Sequence, residues 1–267
     1  MAKTYKVYLD PGHGGSDPGA VKYLRESKVN LVEGLACRDY LKANGVSVKM
    51  SRTTDKNTSL NSLCAAANKW GADLAVSIHN NAGGGDGFEV YHSINGGKGK
   101  TLAANIEAEV KKIGQNSRGL KTKKGKNGDY YGFIRMTNMP AVICEGVFVD
   151  NKTDVKIADT VAEQKEFGYA YARAILKTLG LPDNGISGKK DAKTTKKVTK
   201  AATKYKTSSY AKKIKTGLKK LGYFDGAIDS YVTPEYTEAV LKFQKKAFKR
   251  KEDQDGIGGN NTLIAVN

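Results

Sequence analysis

Along the first 180 residues the apolar positions switch back and forth between two periods. In "TYKVYLD" (4–10), Tyr5, Val7 and Leu9 fall on one face of an extended chain, which predicts a strand. "SKVNLVEGLACRDYLKANG" (27–45) instead spaces its apolar residues three and four apart and stops at Gly45, an amphipathic helix with a glycine end. The alternation continues with a strand in "VSVKMSR" (46–52), a helix in "SLNSLCAAANKWG" (59–71) and a buried strand in "ADLAVSIHNNA" (72–82). "GFEVYHS" (87–93) reads as a strand, "GKTLAANIEAEVKKIG" (99–114) as a helix, and "PAVICEGVFVD" (140–150) as another buried strand. A closing helix fits "TVAEQKEFGYAYARAILKTLG" (160–180). Strands alternating with helices this long predict an α/β fold: a mostly parallel twisted sheet with helices on both faces.

Past Leu181 the pattern dissolves. Residues 181–206 hold many Lys, Thr and Gly and almost no large apolar side chains, so they cannot bury a core and are expected to be a basic linker. Periodicity returns over 207–267. Tyr210, Ile214, Leu218 and Leu221 share one helical face entered through Ser208 and Ser209. A second helix is expected in "TPEYTEAVLKFQKKAF", with Thr233 as N-cap and Pro234 at the first helical position. The expected division is therefore 1–180, 181–206 and 207–267, the last a small all-α module.

Charge adds a partner class. The chain carries +18, and residues 181–267 hold 19 Lys/Arg against 9 Asp/Glu, a net of +10 in the shorter part. Such an excess suits nucleic acid, a membrane surface or an acidic wall polymer. No run approaches the ~18 apolar residues of a membrane span. Cys37, Cys64 and Cys144 are scattered and odd in number, which favours free thiols over a disulfide framework. The first residues pass straight into a strand pattern with no apolar leader, from which storage in a cytoplasm is expected.

Candidate chemistry gathers at strand ends, where open α/β sheets bind ligands. His13 lies in "DPGHGGSDPGA" after the first strand, and His79 closes "ADLAVSIH". Glu26 stands at the entrance of the first helix, and Glu145 interrupts the apolar strand "AVICEGVFV". Two imidazoles and a carboxylate with a position left for water suit a catalytic zinc, and a further carboxylate can take that water's proton. Each also has a plain reading: a turn histidine, a strand-end histidine satisfied by backbone, a glutamate at the positive end of a helix. Glu145 is the hardest to explain that way, since a lone carboxylate inside an apolar strand is costly. The spacing by itself does not choose between the readings.

"DPGHGGSDPGA", "ESKVN", "SRTTD", "AVSIHNNA", "GFEVYH", "RGLK" and "MPAVICEGVFVDN" follow one another as in the zinc-dependent N-acetylmuramoyl-L-alanine amidases of the amidase-3 type, which residues 4–180 resemble in order. The resemblance implies zinc on His13, Glu26 and His79, with Glu145 as the catalytic glutamate. It implies hydrolysis of the amide between N-acetylmuramic acid and L-alanine of the peptidoglycan stem, and so a wall partner, with no nucleic acid and no stable membrane association. The chain departs from the family at Leu63, where an arginine is common, and at His92, read as an ordinary strand residue near the surface. Cys144 reads as a buried strand residue, not a nucleophile. The tail blocks "LKKLGYFDGAID", "TEAVLKFQKKA" and "QDGIGGNNTLIAV" resemble a three-helix peptidoglycan-binding module, with "YVTPEYT" and "IGGNNT" departing from its usual pattern. In it Tyr223, Phe224, Ile228, Val240, Phe243 and Ile257 are expected in the core. A phage endolysin, held in the host cytoplasm until release to the wall, is the expected role. The alternatives are a bacterial autolysin or sporulation amidase, another zinc peptidase using Arg118 or Arg135 for a substrate carboxylate, and a non-catalytic polymer-binding protein.

Overall fold

The computed structural model describes residues 3–185, 211–225 and 234–247. The chain divides into two compact units, Met1–Lys190 and Asp191–Asn267.

In the first unit, strands β1 (Lys6–Pro11), β2 (Ser47–Met50), β3 (Leu74–Asn81), β4 (Phe88–His92), β5 (Ser117–Lys121) and β8 (Ala141–Phe148) form one sheet in the order β2-β1-β3-β8-β4-β5. All neighbours are parallel except β4, which runs antiparallel to β8. Successive side chains of a strand face opposite sides, and the core divides accordingly. Val7, Leu9, Val76, Ile78, Val142 and Cys144 pack under α1 (Glu26–Ala43), α3 (Gly97–Lys112) and α5 (Val161–Leu179). Tyr8, Ala75, Ala141 and Ile143 pack under α2 (Leu60–Trp70) and the short α4 (Gly132–Met136). The mostly parallel, doubly covered sheet matches the expectation.

Helix ends follow local chemistry. The Ser59 hydroxyl accepts from the Ser62 amide at the start of α2, which ends on a left-handed Gly71. Helix α5 opens with a reciprocal Thr160–Glu163 capping box and closes on left-handed Gly180. Five elements escape the periodicity: β5, the hairpin strands β6 (Lys124–Gly125) and β7 (Gly128–Asp129), helix α4, and a 3-10 turn at Asp154–Ile157. They are short, and β5 is an edge strand with Leu120 as its sole large aliphatic residue, so no repeat develops for a pattern to reveal.

Past α5 the chain does not leave at once. Tyr40 donates to Asp183 Oδ1 at 2.7 Å, and Asn44 donates to the Gly185 carbonyl at 2.8 Å while accepting from the Asn184 amide at 2.8 Å. The first residues of the expected linker are thus fastened to α1.

In the second unit, α6 (Ala211–Lys220) and α7 (Pro234–Ala247) are described. Ile214, Leu218, Phe224, Tyr236, Val240 and Phe243 are buried together, with Tyr223 packed against them, so the aromatic residues named here are core. Leu221 departs from expectation: it is half exposed, because α6 has ended and Gly222 turns the chain through a left-handed conformation. Tyr210, Ser208, Ser209, Thr233, Ile228, Ile257 and the expected third helix lie outside the described residues. Among the described residues no helix is long and apolar enough to cross a membrane.

Candidate metal and catalytic centre

Strand β1 delivers the chain to Pro11, and the Gly12 amide extends the pairing by donating to Ile78 at 2.9 Å. His13 then adopts φ 63°, the one non-glycine residue with positive φ among the described residues. A left-handed histidine is a strained conformation that its surroundings must hold. Arg52, buried at the end of β2, supplies that hold by donating to the carbonyls of Pro11 (2.7 Å), Gly12 (2.9 Å) and Ser27 (2.7 Å). Asp17 fixes the ring itself, with Oδ2 2.8 Å from His13 Nδ1, so that Nε2 faces Glu26.

Glu26 is the first residue of α1 and is nearly fully buried. Its Oε1 lies 3.1 Å from His13 Nε2 and 3.0 Å from His79 Nδ1, and its Oε2 accepts from the Ala20 amide at 2.9 Å. The ligand-type atoms of the three side chains all lie within 4.8 Å of one another. Two imidazole nitrogens and a carboxylate, with one side open, are the donor set and count of a catalytic zinc site, so these residues fit a divalent ion of that class. The glycines keep the space: a Cβ on Gly12 would overlap the His79 ring, and one on Gly19 would sit 2.5 Å from Glu26 Oε2.

Charge is balanced to match. Burial alone would push the Glu26 carboxyl up, but the two histidines and the Ala20 amide hold it well below the usual carboxylate range. The bond to Glu26, outweighing burial and joined by Asp17, raises His13 to about 9. His79, though disfavoured by burial, is also raised, by Glu26 and by Glu145.

Glu145 stands on β8 directly in register with His79 on β3, and Glu89 on β4 is directly opposite Glu145. His79, Glu145 and Glu89 therefore form one row across the sheet, on the face that carries α2 and α4. Burial, opposed by His79 and reinforced by Glu26 and Glu89, pushes the Glu145 carboxyl up to about 7. On the other side of His13, a cleft of about 310 Å³ is lined by Asp10, Arg52, Asn57, Thr58, Leu60 and His79.

The four residues singled out in the sequence thus converge. Others do not join them. His92 is buried, contrary to its expected place near the surface, with Nδ1 2.8 Å from the Ser93 carbonyl. Arg135 is spent on the Asp129 and Tyr130 carbonyls, and Leu63 is buried core beneath the cleft. Cys144 is a buried free thiol on the opposite face of the sheet. Sequence reasoning missed the support. Asn80 donates its backbone amide to Glu26 Oε1 (3.2 Å) and its side chain to Asn30 Oδ1 (2.9 Å) and Glu33 Oε1 (3.3 Å). Its Oδ1 accepts from the Val147 amide at 2.9 Å, so one side chain joins α1, β3 and β8. The signal was an amide inside a buried strand.

Comparison with known proteins adds an independent line. The sequence profile of the N-acetylmuramoyl-L-alanine amidases matches residues 7–177, and that of a peptidoglycan binding domain matches residues 207–266. The N-acetylmuramoyl-L-alanine amidase CwlM of Bacillus licheniformis is 37% identical over 187 residues, 68% of this chain and 72% of the relative. The endolysin of Bacillus phage SPP1 is 32% identical over 206 residues, 73% of this chain and 74% of the relative. Among solved structures, the catalytic domain of the amidase CwlV from Bacillus (Paenibacillus) polymyxa superposes with a TM-score of 0.61 at 26% identity, covering 67% of this chain and 100% of that domain.

Proposed function

The chain belongs to the N-acetylmuramoyl-L-alanine amidase family, and from that premise we propose a zinc-dependent hydrolase that cuts the amide joining N-acetylmuramic acid to L-alanine in peptidoglycan. The observation that carries the reading is the convergence of His13, Glu26 and His79, with Glu145 in register beside His79. His13, through Nε2, His79, through Nδ1, and the Glu26 carboxylate would hold the ion. Zinc, when bound, polarises the scissile carbonyl and makes water a stronger acid.

The rest falls to the chain's own groups. Glu145, whose carboxyl titrates at about 7, can hold or release a proton near neutrality. It accepts the proton of the attacking water at a carboxylate oxygen, then returns it to the departing alanine nitrogen, which leaves as a neutral amine. Asp17 keeps the His13 tautomer that points Nε2 inward. The peptidoglycan-binding match over 207–266 supports a wall-anchoring role for the tail.

The test is digestion of purified wall with and without a chelator, followed by end-group analysis. Chelator-sensitive release of N-terminal alanine is the expected result; new reducing sugars or D-amino acids in its place overturn the reading.

For the biological role, the match to a phage endolysin supports host lysis, with the enzyme held in the host cytoplasm until release. The higher identity to a bacterial amidase favours a second reading, a bacterial autolysin or sporulation enzyme. Transcript timing separates the two: late expression during phage induction supports lysis, and expression during growth or sporulation without induction supports the second.

A further inference from the structure

The row that begins at His79 does not end at Glu145. Glu89 faces Glu145 across the β4–β8 pair, and on the far side of Glu89 stands Arg118 of β5. The Arg118 side chain turns back over β4: its Nε donates to Glu89 Oε1, and its guanidinium carbon lies 5.3 Å from the centre of the Phe148 ring. Tyr91 donates to the other Glu89 oxygen at 3.2 Å. Glu89 is therefore satisfied and buried, while the Arg118 side chain remains 43% exposed. Among the described residues its two Nη groups make no hydrogen bond, although a guanidinium presents five donors in a planar fork suited to a carboxylate. Phe148 and Glu89 together restrain the side chain, so little rotamer freedom remains to be lost on binding.

The two sides of the zinc-type cluster differ in chemistry. The cleft beside His13 offers Asp10, Asn57 and Thr58, groups suited to sugar hydroxyls and acetamido groups. The opposite side offers a fixed cation. Adjacent strands lie about 4.8 Å apart, so Glu89 and the guanidinium bonded to it follow Glu145 along the row at a strand spacing or more. One residue of extended peptide spans about 3.5 Å.

Resting on the amidase reading, we propose that Arg118 is a substrate-binding residue for the α-carboxylate of the second stem residue, the acidic residue next to the alanine whose amide is cut. The muramyl sugar then occupies the His13 cleft, and the stem peptide runs across β8 and β4 toward β5.

The experiment uses the full chain loaded with zinc and two soluble muropeptides that differ only at the second residue, one with a free α-carboxylate and one with the carboxamide. The expected result is a KM about 10-fold or more lower for the carboxylate form, in the range of a charge-assisted bond, with similar kcat. Arg118→Ala should erase the difference by raising KM for the carboxylate substrate alone. Arg118→Lys keeps a cation beside Glu89 and should retain part of the preference. Equal loss of kcat on both substrates in Arg118→Ala, with the preference intact, would show that Arg118 acts only through Glu89 on Glu145 and overturn the subsite. So would a parent enzyme that releases alanine equally well from both. Failure to release alanine from either substrate overturns the amidase reading itself, a different outcome from lost discrimination.

Discussion

Glu145 carries a conflict that its neighbours leave standing. It sits in a strand otherwise built of apolar residues, and burial pushes its carboxyl up from 4.5 to about 7 despite the attraction of His79. A carboxyl raised in the folded state contributes stability that is complete below its unfolded value and is lost as pH rises through the folded one. Glu145→Gln removes the titration. In metal-free protein it should melt with the parent at about pH 4 and be more stable by about 1–3 kcal/mol at about pH 8. The same variant, loaded with zinc, should keep the ion and lose ~10² or more in turnover. Calorimetry at both pH values and metal analysis check this; a variant less stable than the parent at high pH would make Glu145 a structural residue. His13 titrates with the same sign. It is raised to about 9 by Glu26, so at neutral pH zinc must displace a proton from it. Zinc affinity should fall about 10-fold per unit as pH drops below that value, with proton uptake by the buffer on binding. Calorimetric titration in buffers of different ionisation enthalpy measures it, and pH-independent affinity contradicts it.

Elements place these residues, and Arg52 shows how. Just past β2, Arg52 is a cation whose partners are four carbonyls, those of Pro11, Gly12, Ser27 and Thr54, and that arrangement fixes the loop that bends His13 into a left-handed conformation. Arg52→Met keeps the bulk and strands those carbonyls; it should cost about 2–4 kcal/mol and weaken zinc binding by 10-fold or more. Melting curves and zinc titration decide it: full affinity in the variant would leave the loop's shape to its glycines. The strands and long helices of this unit were legible because their apolar periods run for several repeats. The positions of His13, Glu26 and His79 at element ends were legible for the same reason. What could not be read was register. Glu145 meets His79 through a β3–β8 pairing between residues 66 apart, interrupted by an irregularity between His79 and Asn81. Arg52, Asn80 and Glu89 act through such long-range partners, and an isolated charge or amide in the sequence does not name the carbonyl or carboxylate it meets. Helix α4 was missed for want of length, yet it is pinned: Asn68 of α2 donates to the Met136 carbonyl and accepts from the Asn138 amide.

At the scale of the whole chain, the question is where the catalytic unit ends and what the remainder adds. Composition puts that end at Leu181, yet Asp183, Asn184 and Gly185 bond back to Tyr40 and Asn44, so the packing of the first unit continues at least as far as Gly185. A chain ending at Gly180 loses these bonds together with Leu181, which packs against the core, and should be about 1–3 kcal/mol less stable than one ending at Gly185. The longer form contains the whole sheet and every residue assigned a chemical role. Its turnover of soluble muropeptide should match that of the full chain. Residues 186–267 hold most of the basic excess and the span that matches a peptidoglycan binding domain. Anchoring an enzyme to a polymer raises the local concentration of scissile bonds without altering the chemical step. The shortened form should therefore sediment less with intact walls and digest them more slowly at low enzyme concentration, and the gap should narrow as enzyme is raised. Added salt should weaken the full chain's binding more than the shortened form's, since the lost part carries the larger net charge for its length. Sedimentation and soluble-substrate assays run side by side give the answer. Equal wall binding by both forms would remove the anchoring role, and a drop in soluble turnover would mean that the tail contributes to the reaction itself.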